Sequence, residues 1–402
     1  MDKSTSSRRW PRLDYRKRFS CLSSHAEGVA GSTSSNVIPR RIAECIRIVA
    51  WNVALLLLGL VAIEAGFGRW LGQSALDRAY LLCDARIRYE HDLYGPRIVT
   101  RYTKNSDCFR DTSERPIELV FIGGSTTDQR YLDDSQTWDT ILQAKLRHAG
   151  MPLGFANAGI DGQSTFGHLW NFDHWFPYVK NFRPSYFLFY LGINDRVALQ
   201  PTIGDLSQDA NSLLGKVKRD IANNSAIYQI YKTFKGAQMA AVAQIGHIKV
   251  DFDRLHYTDR GLIDNWDRYD RYLYGPFASR VRQLVLAVRK MGAKPIFVTQ
   301  RTRFWKNEGS LILGVDEEFS GQLEGSILRY NGWDFHGMEA KMSAAILEIC
   351  RESDAVCIDG FSNLDFASDE TYDFEHANPK GAQRIADFLA SVLQPLLAAD
   401  VH

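Results

Sequence analysis

The sequence predicts an α/β protein: a three-layer α/β/α sandwich around a five-stranded parallel sheet, preceded by one transmembrane helix. Three observations predict this fold. Five short apolar runs recur after residue 116, helical stretches alternate with them, and one long uncharged segment precedes them all. Runs that are apolar throughout are typical of strands buried on both faces, and right-handed crossovers join such strands in parallel.

The predicted sheet and its helices follow from the spacing of apolar residues. The strand-like runs are residues 117–123, 153–159, 186–192, 294–300 and 355–360. Helical periodicity predicts helices over about 136–149, 166–180, 278–291, 329–349 and 379–397. These elements predict one domain over residues 116–398.

The N-terminal region predicts a tail and a membrane anchor. Residues 1–39 are rich in Ser and Arg, so we expect a disordered cytoplasmic tail. Residues 46–67 are expected to form a single transmembrane helix, since Ile48 to Ile63 carry no charge and about twenty helical residues span a bilayer core. A cleaved signal peptide is disfavoured by the long charged leader, and a buried soluble helix is rarely apolar on every face.

Charge predicts the orientation of this helix. Residues 1–47 contain ten basic and four acidic residues, which places the N-terminus in the cytoplasm by the positive-inside rule. Trp51 and Trp70 lie near the two ends of the helix, as interfacial anchors do. The following domain is then extracytoplasmic, in the periplasm if the cell is Gram-negative.

Composition excludes some classes of function. The residues after 47 contain 38 basic and 43 acidic residues, and a slightly acidic domain argues against nucleic acid as a partner. Six cysteines are too few for a disulfide scaffold. Cys350 and Cys357 are the nearest pair; they form either a disulfide or, more commonly for this residue type, two small buried core positions.

Two segments have no assigned chemistry. Residues 70–115 have helical spacing in their first half and are expected to be a stalk or lead-in. Residues 199–275 separate the third and fourth predicted strands and are too long for a simple loop. We expect a helical insertion there, which is either a lid over a site or a surface excursion.

Polar residues follow the first three predicted strands. Gly124 and Ser125 come after the first, Gly162 after the second, and Asn194 after the third. Ligands bind at the carboxyl ends of strands in open α/β sheets, so these residues are expected to meet. A serine at a helix N-terminus can act as a nucleophile, and a glycine N–H or an uncharged amide suits an oxyanion.

A histidine follows the fifth predicted strand. His376 comes three residues after Asp373, and Asn378 and Pro379 then begin a helix. A carboxylate at this spacing can accept a hydrogen bond from one ring nitrogen and leave the other free as a base. The four blocks together supply a nucleophile, oxyanion donors, a base and an orienting carboxylate.

These blocks resemble those of the SGNH (GDSL-type) hydrolase superfamily, over about residues 116–397. That family bears Ser, Gly, Asn and His in this order on a flavodoxin-like sandwich. The resemblance implies that Ser125 is the nucleophile, His376 the general base and Asp373 its partner. It further implies an oxyanion hole made by the N–H groups of Ser125 and Gly162 and by the side chain of Asn194.

One position departs from the family pattern. Gly124 stands where an Asp usually precedes the serine. The resemblance still implies acyl transfer through an acyl-enzyme, without a cofactor. No metal is expected either, because His168, Asp173 and His174 match no common metal-site spacing.

The sequence therefore predicts a membrane-anchored extracytoplasmic serine esterase acting on an ester of a cell-envelope glycan or lipid. One alternative is an O-acyltransferase that receives its acyl group from a membrane partner. Others are a non-catalytic glycan-binding module and a lipase facing the cytosol. Candidate substrate-binding residues are Trp170, Arg301, Arg303 and Trp305.

Overall fold

The structure is a computed structural model that describes most of the chain. It describes residues 37–70, 74–110, 116–196, 224–231, 247–323 and 326–399, with positions 72, 112 and 221. Residues 1–36 of the expected tail over 1–39 lie outside the described residues. Much of the 199–275 insertion lies outside them as well.

The strands are β1 (Arg86–His91), β2 (Ile98–Thr103), β3 (Leu119–Gly123), β4 (Phe155–Asn157), β5 (Tyr186–Leu191), β6 (Tyr257–Thr258), β7 (Lys294–Thr299), β8 (Trp305–Glu308), β9 (Leu311–Val315), β10 (Phe319–Leu323), β11 (Ser326–Tyr330) and β12 (Val356–Ile358). The helices are α1 (Val37–Phe67), α2 (Ala75–Tyr80), α3 (Ser125–Asp128), α4 (Trp138–His148), α5 (Thr165–His174), α6 (Asp267–Tyr272), α7 (Ala278–Lys290), α8 (Gly332–Ser353), α9 (Gly360–Asn363) and α10 (Pro379–Ala399).

The central sheet has five parallel strands in the order β12-β7-β5-β3-β4. The five apolar runs are these strands, and the predicted three-layer fold is confirmed. The first strand lies between the second and the third, which is the doubly wound order found in flavodoxin. The order reverses at β3, so the loops that follow β3, β4 and β5 meet at one edge.

Two apolar cores cover the two faces of the sheet. Alternate residues of β3 enter opposite cores: Val120 and Ile122 pack on the face covered by α5, α7 and α8, while Leu119 and Phe121 pack beneath α4 and α10. All four side chains are fully buried. This arrangement explains why β3 is apolar at every position.

The lead-in differs from its expected helical character. Among the described residues of this segment, α2 is the one helix, and β1 and β2 form an antiparallel hairpin in which Arg86 pairs with Thr103. The sequence RIRYEH alternates between exposed and half-buried side chains, the period of a strand rather than of a helix. A disulfide between Cys83 and Cys108 encloses the hairpin.

Further strands lie outside the central sheet: β6 precedes its fourth strand, β7, and β8 to β11 follow β7. Strands β6, β9 and β8 form an antiparallel sheet, and β10 pairs with β11 in a hairpin. Sequence periodicity missed both. Cys350 and Cys357, which we expected more often to be separate core residues, are joined in a disulfide.

Helix α1 contains a segment, Ile42–Phe67, that is long and apolar enough to cross a membrane, with a mean hydropathy of 2.3 and no buried share. Its ability to cross a membrane is inferred from its length and composition. The chain divides into two compact units, Met1–Leu60 and Val61–His402, so the end of α1 belongs to the second unit.

Replacing Phe189 tests the packing of the central sheet. Its side chain is fully buried on β5 and stacks on Phe297 with ring centroids 5.0 Å apart. We expect Phe189→Ala to lower the free energy of unfolding by about 3–5 kcal/mol, because it leaves a cavity. Urea denaturation of the detergent-solubilised full chain measures this. Leu286→Ala, at a side chain 64% exposed, is the control, with an expected change within about 0.5 kcal/mol. Equal effects of the two substitutions would contradict the described packing.

Candidate active site

Ser125 lies at the carboxyl edge of the sheet, where β3 ends at Gly123 and α3 begins at Ser125. The chain changes sharply from strand to helix at Gly124. The Ser125 hydroxyl therefore lies at the edge of the sheet rather than in either apolar core. Ser125 is 7% exposed. The neighbouring Thr126 is fixed to the loop that follows β7, since its hydroxyl donates to Gln300 Oε1 at 3.0 Å.

His376 joins Ser125 to a carboxylate. Its Nε2 lies 2.7 Å from Ser125 Oγ, and its Nδ1 lies 2.7 Å from Asp373 Oδ2. Asp373 Oδ1 also accepts the backbone N–H groups of Glu375 and His376, at 2.8 and 2.7 Å. With Nδ1–H donated to Asp373, Nε2 is left to accept the serine proton, as in a serine–histidine–aspartate triad.

The loop that carries His376 is held by two arginines. Arg303 donates its backbone N–H to the Phe374 carbonyl at 2.7 Å and its side chain to the Ala367 carbonyl at 3.1 Å. Arg196 pairs with Glu375 and, at 3.1 Å, with Glu339 of α8. Glu375 is therefore engaged by Arg196, and Asp373 is the carboxylate bonded to His376.

The loops after β4 and β5 meet beside Ser125. Asn194 Nδ2 donates to the Gln163 carbonyl at 3.0 Å, next to Gly162, whose φ is +72°. A Cβ on Gly124 would overlap Asn194 Nδ2 and approach the Gln163 carbonyl to 3.2 Å. The amide of Asn194 therefore packs directly on the backbone that precedes Ser125. A residue with a side chain would fit there only with displacement of the Asn194 amide.

A buried charge fixes the Asn194 loop. Asp195 is 1% exposed and accepts the backbone N–H of Thr165 at 3.0 Å and its hydroxyl at 2.6 Å. Arg280 reaches the same carboxylate at 3.4 Å, and Tyr272 donates its hydroxyl to the Asp195 carbonyl at 2.9 Å. Asp195 thus ties the turn after β5 to the start of α5.

Electrostatics raise the pKa of His376 above its ordinary 6.5. Burial alone lowers the pKa, but the negative charge and hydrogen bond of Asp373, with Glu375 and Asp161, outweigh it. A base acts only when neutral. Activity that depends on His376 is therefore expected to fall as the pH drops through this raised pKa.

The predicted substrate-binding residues lie in different surroundings. Arg301 is 7% exposed, stacks over the Trp305 ring at 4.1 Å and pairs with Asp365. Trp305 is buried and donates its Nε1–H to Glu339 at 2.9 Å. Arg303 supports the histidine loop, as described above. Each of these three side chains contacts other parts of the protein, so the structure describes them as parts of the scaffold.

Trp170 lies on α5 and contacts the lead-in. Its ring packs edge-on against Tyr80 at 5.8 Å, and Arg69 lies 5.2 Å above it. None of these contacts involves Ser125, His376 or Asp373. The structure therefore places Trp170 against the end of α1 and α2.

His247, from the insertion, is a site residue that the sequence analysis missed. Its ring centroid lies 4.1 Å from that of His376, and its Nδ1 lies 2.6 Å from the Tyr372 hydroxyl. Its Nε2 lies 3.7 Å from Asp161, beside Gly162. No strand end or motif precedes His247 in the sequence, so nothing in the pattern marks it.

Three donor groups at this site are close enough to hold a metal ion: ligand atoms of His247, Asp373 and His376 lie within 4.8 Å of one another. Asp373 and His376 are already hydrogen bonded to each other, which suits a triad better than a metal site. His168 is buried and bonded to Gln163 Oε1 at 3.1 Å, and burial lowers its pKa to about 3. His168 is thus a neutral scaffold residue.

No protein-family model matches the sequence, and no curated protein matches it significantly. Solved structures resemble parts of the fold. TesA aligns at 13% identity over 69% of this chain and 99% of its own, with a TM-score of 0.39. A catalytic mutant of Axe2, an acetylxylan esterase from Geobacillus stearothermophilus, aligns at 12% over 70% and 95%, with a TM-score of 0.37. EstA, a psychrotrophic esterase from Pseudoalteromonas sp., aligns at 11% over 70% and 98%, with a TM-score of 0.36. At these TM-scores, the function of this chain has to be inferred from its own site.

Adding a side chain at Gly124 tests the oxyanion arrangement. We expect Gly124→Ala to displace the Asn194 amide and lower the turnover of an aryl acetate by about 10²–10³-fold, as loss of one oxyanion donor does. Asn194→Ala should match it, and the double variant should be little worse than either single one. Gly275→Ala, where a Cβ meets open space, is the control. Full activity of Gly124→Ala would contradict the assigned role of Asn194.

Neutralising Asp373 tests the base. In Asp373→Asn, the pKa of His376 should fall, because burial remains while the opposing charge is lost. The acid limb of kcat/KM should move to lower pH, and kcat should drop by up to about 10⁴-fold. The pH–rate profile measures both. Asp369→Asn is the control, since Asp369 is exposed and pairs with Lys380. An unmoved acid limb in Asp373→Asn would argue against His376 as the titrating base.

Proposed function

We propose that this protein is a membrane-anchored serine esterase that works through an acyl-enzyme. One observation carries the proposal: an unbroken hydrogen-bonded chain runs from Asp373 through His376 to Ser125. The order of the blocks is also that of the SGNH superfamily, which the sequence resembles. No cofactor is needed for this chemistry.

The mechanism follows from the geometry. Ser125 Oγ attacks the ester carbonyl carbon while His376 Nε2 takes its proton. The tetrahedral intermediate collapses, the C–O bond to the alcohol breaks, and His376 returns the proton to the leaving oxygen. A water then attacks the carbonyl carbon of the acyl-Ser125 and gives a proton to His376. The bond from this carbon to Ser125 Oγ breaks, His376 returns the proton to Oγ, and the carboxylic acid leaves.

The negative oxygen of the intermediate needs donors near Ser125. We assign this role to the backbone N–H of Ser125, that of Gly162 and the side-chain amide of Asn194. The Asn194 amide is held by the Gln163 carbonyl through one of its two hydrogens, so the second remains for substrate. Such preorganised donors are generally a large part of catalysis.

We place the active domain outside the cytoplasm. The basic excess of residues 1–47 supports this orientation, and so do the disulfides Cys83–Cys108 and Cys350–Cys357, which persist in oxidising compartments. An anchored enzyme there meets the O-acyl esters of envelope glycans and of lipids. We therefore propose one of these as the substrate.

Acyl transfer to a hydroxyl acceptor is a second candidate. The rings of His247 and Tyr372 both pack against His376, with centroids 4.1 and 5.6 Å from its own, and Ser125 is 7% exposed. This enclosure restricts water, which a transferase requires. A membrane partner would then have to deliver the acyl group.

Covalent labelling tests the proposed function. A fluorophosphonate should label the full-length protein in membranes, because Ser125 is activated by His376. Labelling should vanish in Ser125→Ala and fall steeply in His376→Ala. Ser362→Ala, at an exposed serine of α9, is the control and should label normally. Absence of labelling would favour a non-catalytic glycan-binding module. Release of free acetate from an aryl acetate, with and without an acceptor oligosaccharide, then separates hydrolysis from transfer.

A further inference from the structure

Glu64 is a carboxylate within the apolar segment of α1, three residues before the helix ends at Phe67. It is fully engaged by the insertion. Its oxygens accept the Ser225 hydroxyl at 2.6 Å and the backbone N–H groups of Ala226 and Ile227 at 3.0 and 3.2 Å. The indole N–H of Trp70 adds a fourth hydrogen bond at 2.9 Å.

These contacts fix the depth of one insertion segment relative to the end of α1. Residues 226–231 are helical and begin at the Glu64 carboxylate. The backbone N–H of Arg69 also donates to the Asn224 carbonyl at 2.9 Å. Glu64 lies three residues before the end of α1, which is roughly 4.5 Å along the helix axis at 1.5 Å per residue. The insertion segment that binds Glu64 therefore also starts on the membrane side of that end.

The helical residues 226–231 expose an apolar face. Ile227, Ile230 and Tyr231 are 40%, 38% and 56% exposed, and their spacing places them on one face. The remaining side is more covered, since Tyr228 and Gln229 are half-buried and Ala226 is fully buried. Phe67 and Trp70 at the end of α1 are each 47% exposed. Several exposed apolar side chains near one helix end are typical of an interaction surface.

We propose that residues 224–231 form an interfacial element that inserts Ile227, Ile230 and Tyr231 into the lipid leaflet entered by α1. The proposal rests on the membrane anchoring proposed above and is independent of the esterase activity. Lipid is the occupant that the geometry favours, because a helix tied below the end of a membrane span lies at the boundary between headgroups and acyl chains. Interfacial helices bury their apolar face about 5–10 Å into this zone.

The hydrogen bonds of Glu64 have a second consequence. A carboxylate at this depth is costly unless its oxygens are paired. Ser225 and the first N–H groups of the short helix supply those partners. Glu64 therefore acts as the tether that holds the insertion on the bilayer surface.

The test uses the full-length protein in vesicles of phosphatidylcholine and phosphatidylglycerol. In a Cys21→Ser, Cys45→Ser background, the environment-sensitive dye NBD is attached at Ile230→Cys, at Leu55→Cys in α1, or at Leu286→Cys on the exposed side of α7. Dye at 230 should be quenched by lipid carrying a shallow doxyl group and protected from aqueous iodide. Dye at 286 should show the opposite pattern.

Each outcome decides the proposal. Quenching by iodide alone at 230, with doxyl quenching at 55, would overturn it and leave the membrane anchor intact. Protection of 230 from both quenchers would also overturn it, because protein rather than lipid would then cover this face. Absence of quenching at 55 by lipid that carries its doxyl group deep in the acyl chain would remove the anchor and the inference together.

A second variant tests the tether. Glu64→Ala should reduce doxyl quenching at 230 by at least about half and increase iodide quenching, while dye at 55 stays unchanged. Asn52→Ala, which removes another polar side chain of α1, is the matched control. Turnover of a soluble aryl acetate should stay unchanged in both variants. Unchanged quenching at 230 in Glu64→Ala would refute the role of Glu64.

Discussion

The active-site geometry depends on one buried cation. Arg196 follows the turn that bears Asn194, and its guanidinium joins Glu339 of α8 to Glu375 of the histidine loop. It also stacks on the Phe335 ring at 4.6 Å. A single side chain therefore couples the proposed oxyanion donor to the segment that carries the proposed base. Removing one partner of such a buried pair typically costs about 3–5 kcal/mol, because the other charge stays buried.

Much of this arrangement could be predicted from the sequence. The five sheet strands are buried on both faces and so appear as unbroken apolar runs. The residues proposed for the site follow four of these runs, where a parallel sheet must bring them to one edge. The placement of His376 against Ser125 and of Asp373 against His376 agrees with the sequence prediction.

Other parts carried no periodic signal. Strand β1 alternates charged and half-buried residues over only six positions, and the flanking segment has helical spacing that obscures this short strand. Arg301 and Trp305 follow a sheet strand as site residues do, yet they are buried in contacts with Asp365 and Glu339. His247 comes from a segment without a strand or a motif. Position after a strand predicts proximity to the edge; it does not predict whether a side chain points into the cavity or into the scaffold.

The distribution of the triad along the chain has a consequence for biosynthesis. Ser125 and His376 are 251 residues apart, and β12, which precedes the histidine loop, is an edge strand of the sheet. On the proposed function, the membrane segment is synthesised before the domain, and the proposed general base follows most of the domain. A chain exported as it is translated would therefore be tethered before it could cleave an ester. It would be inert during export, and a truncation that removed only α10 and the preceding loop would leave an anchored, largely complete sheet without its proposed base.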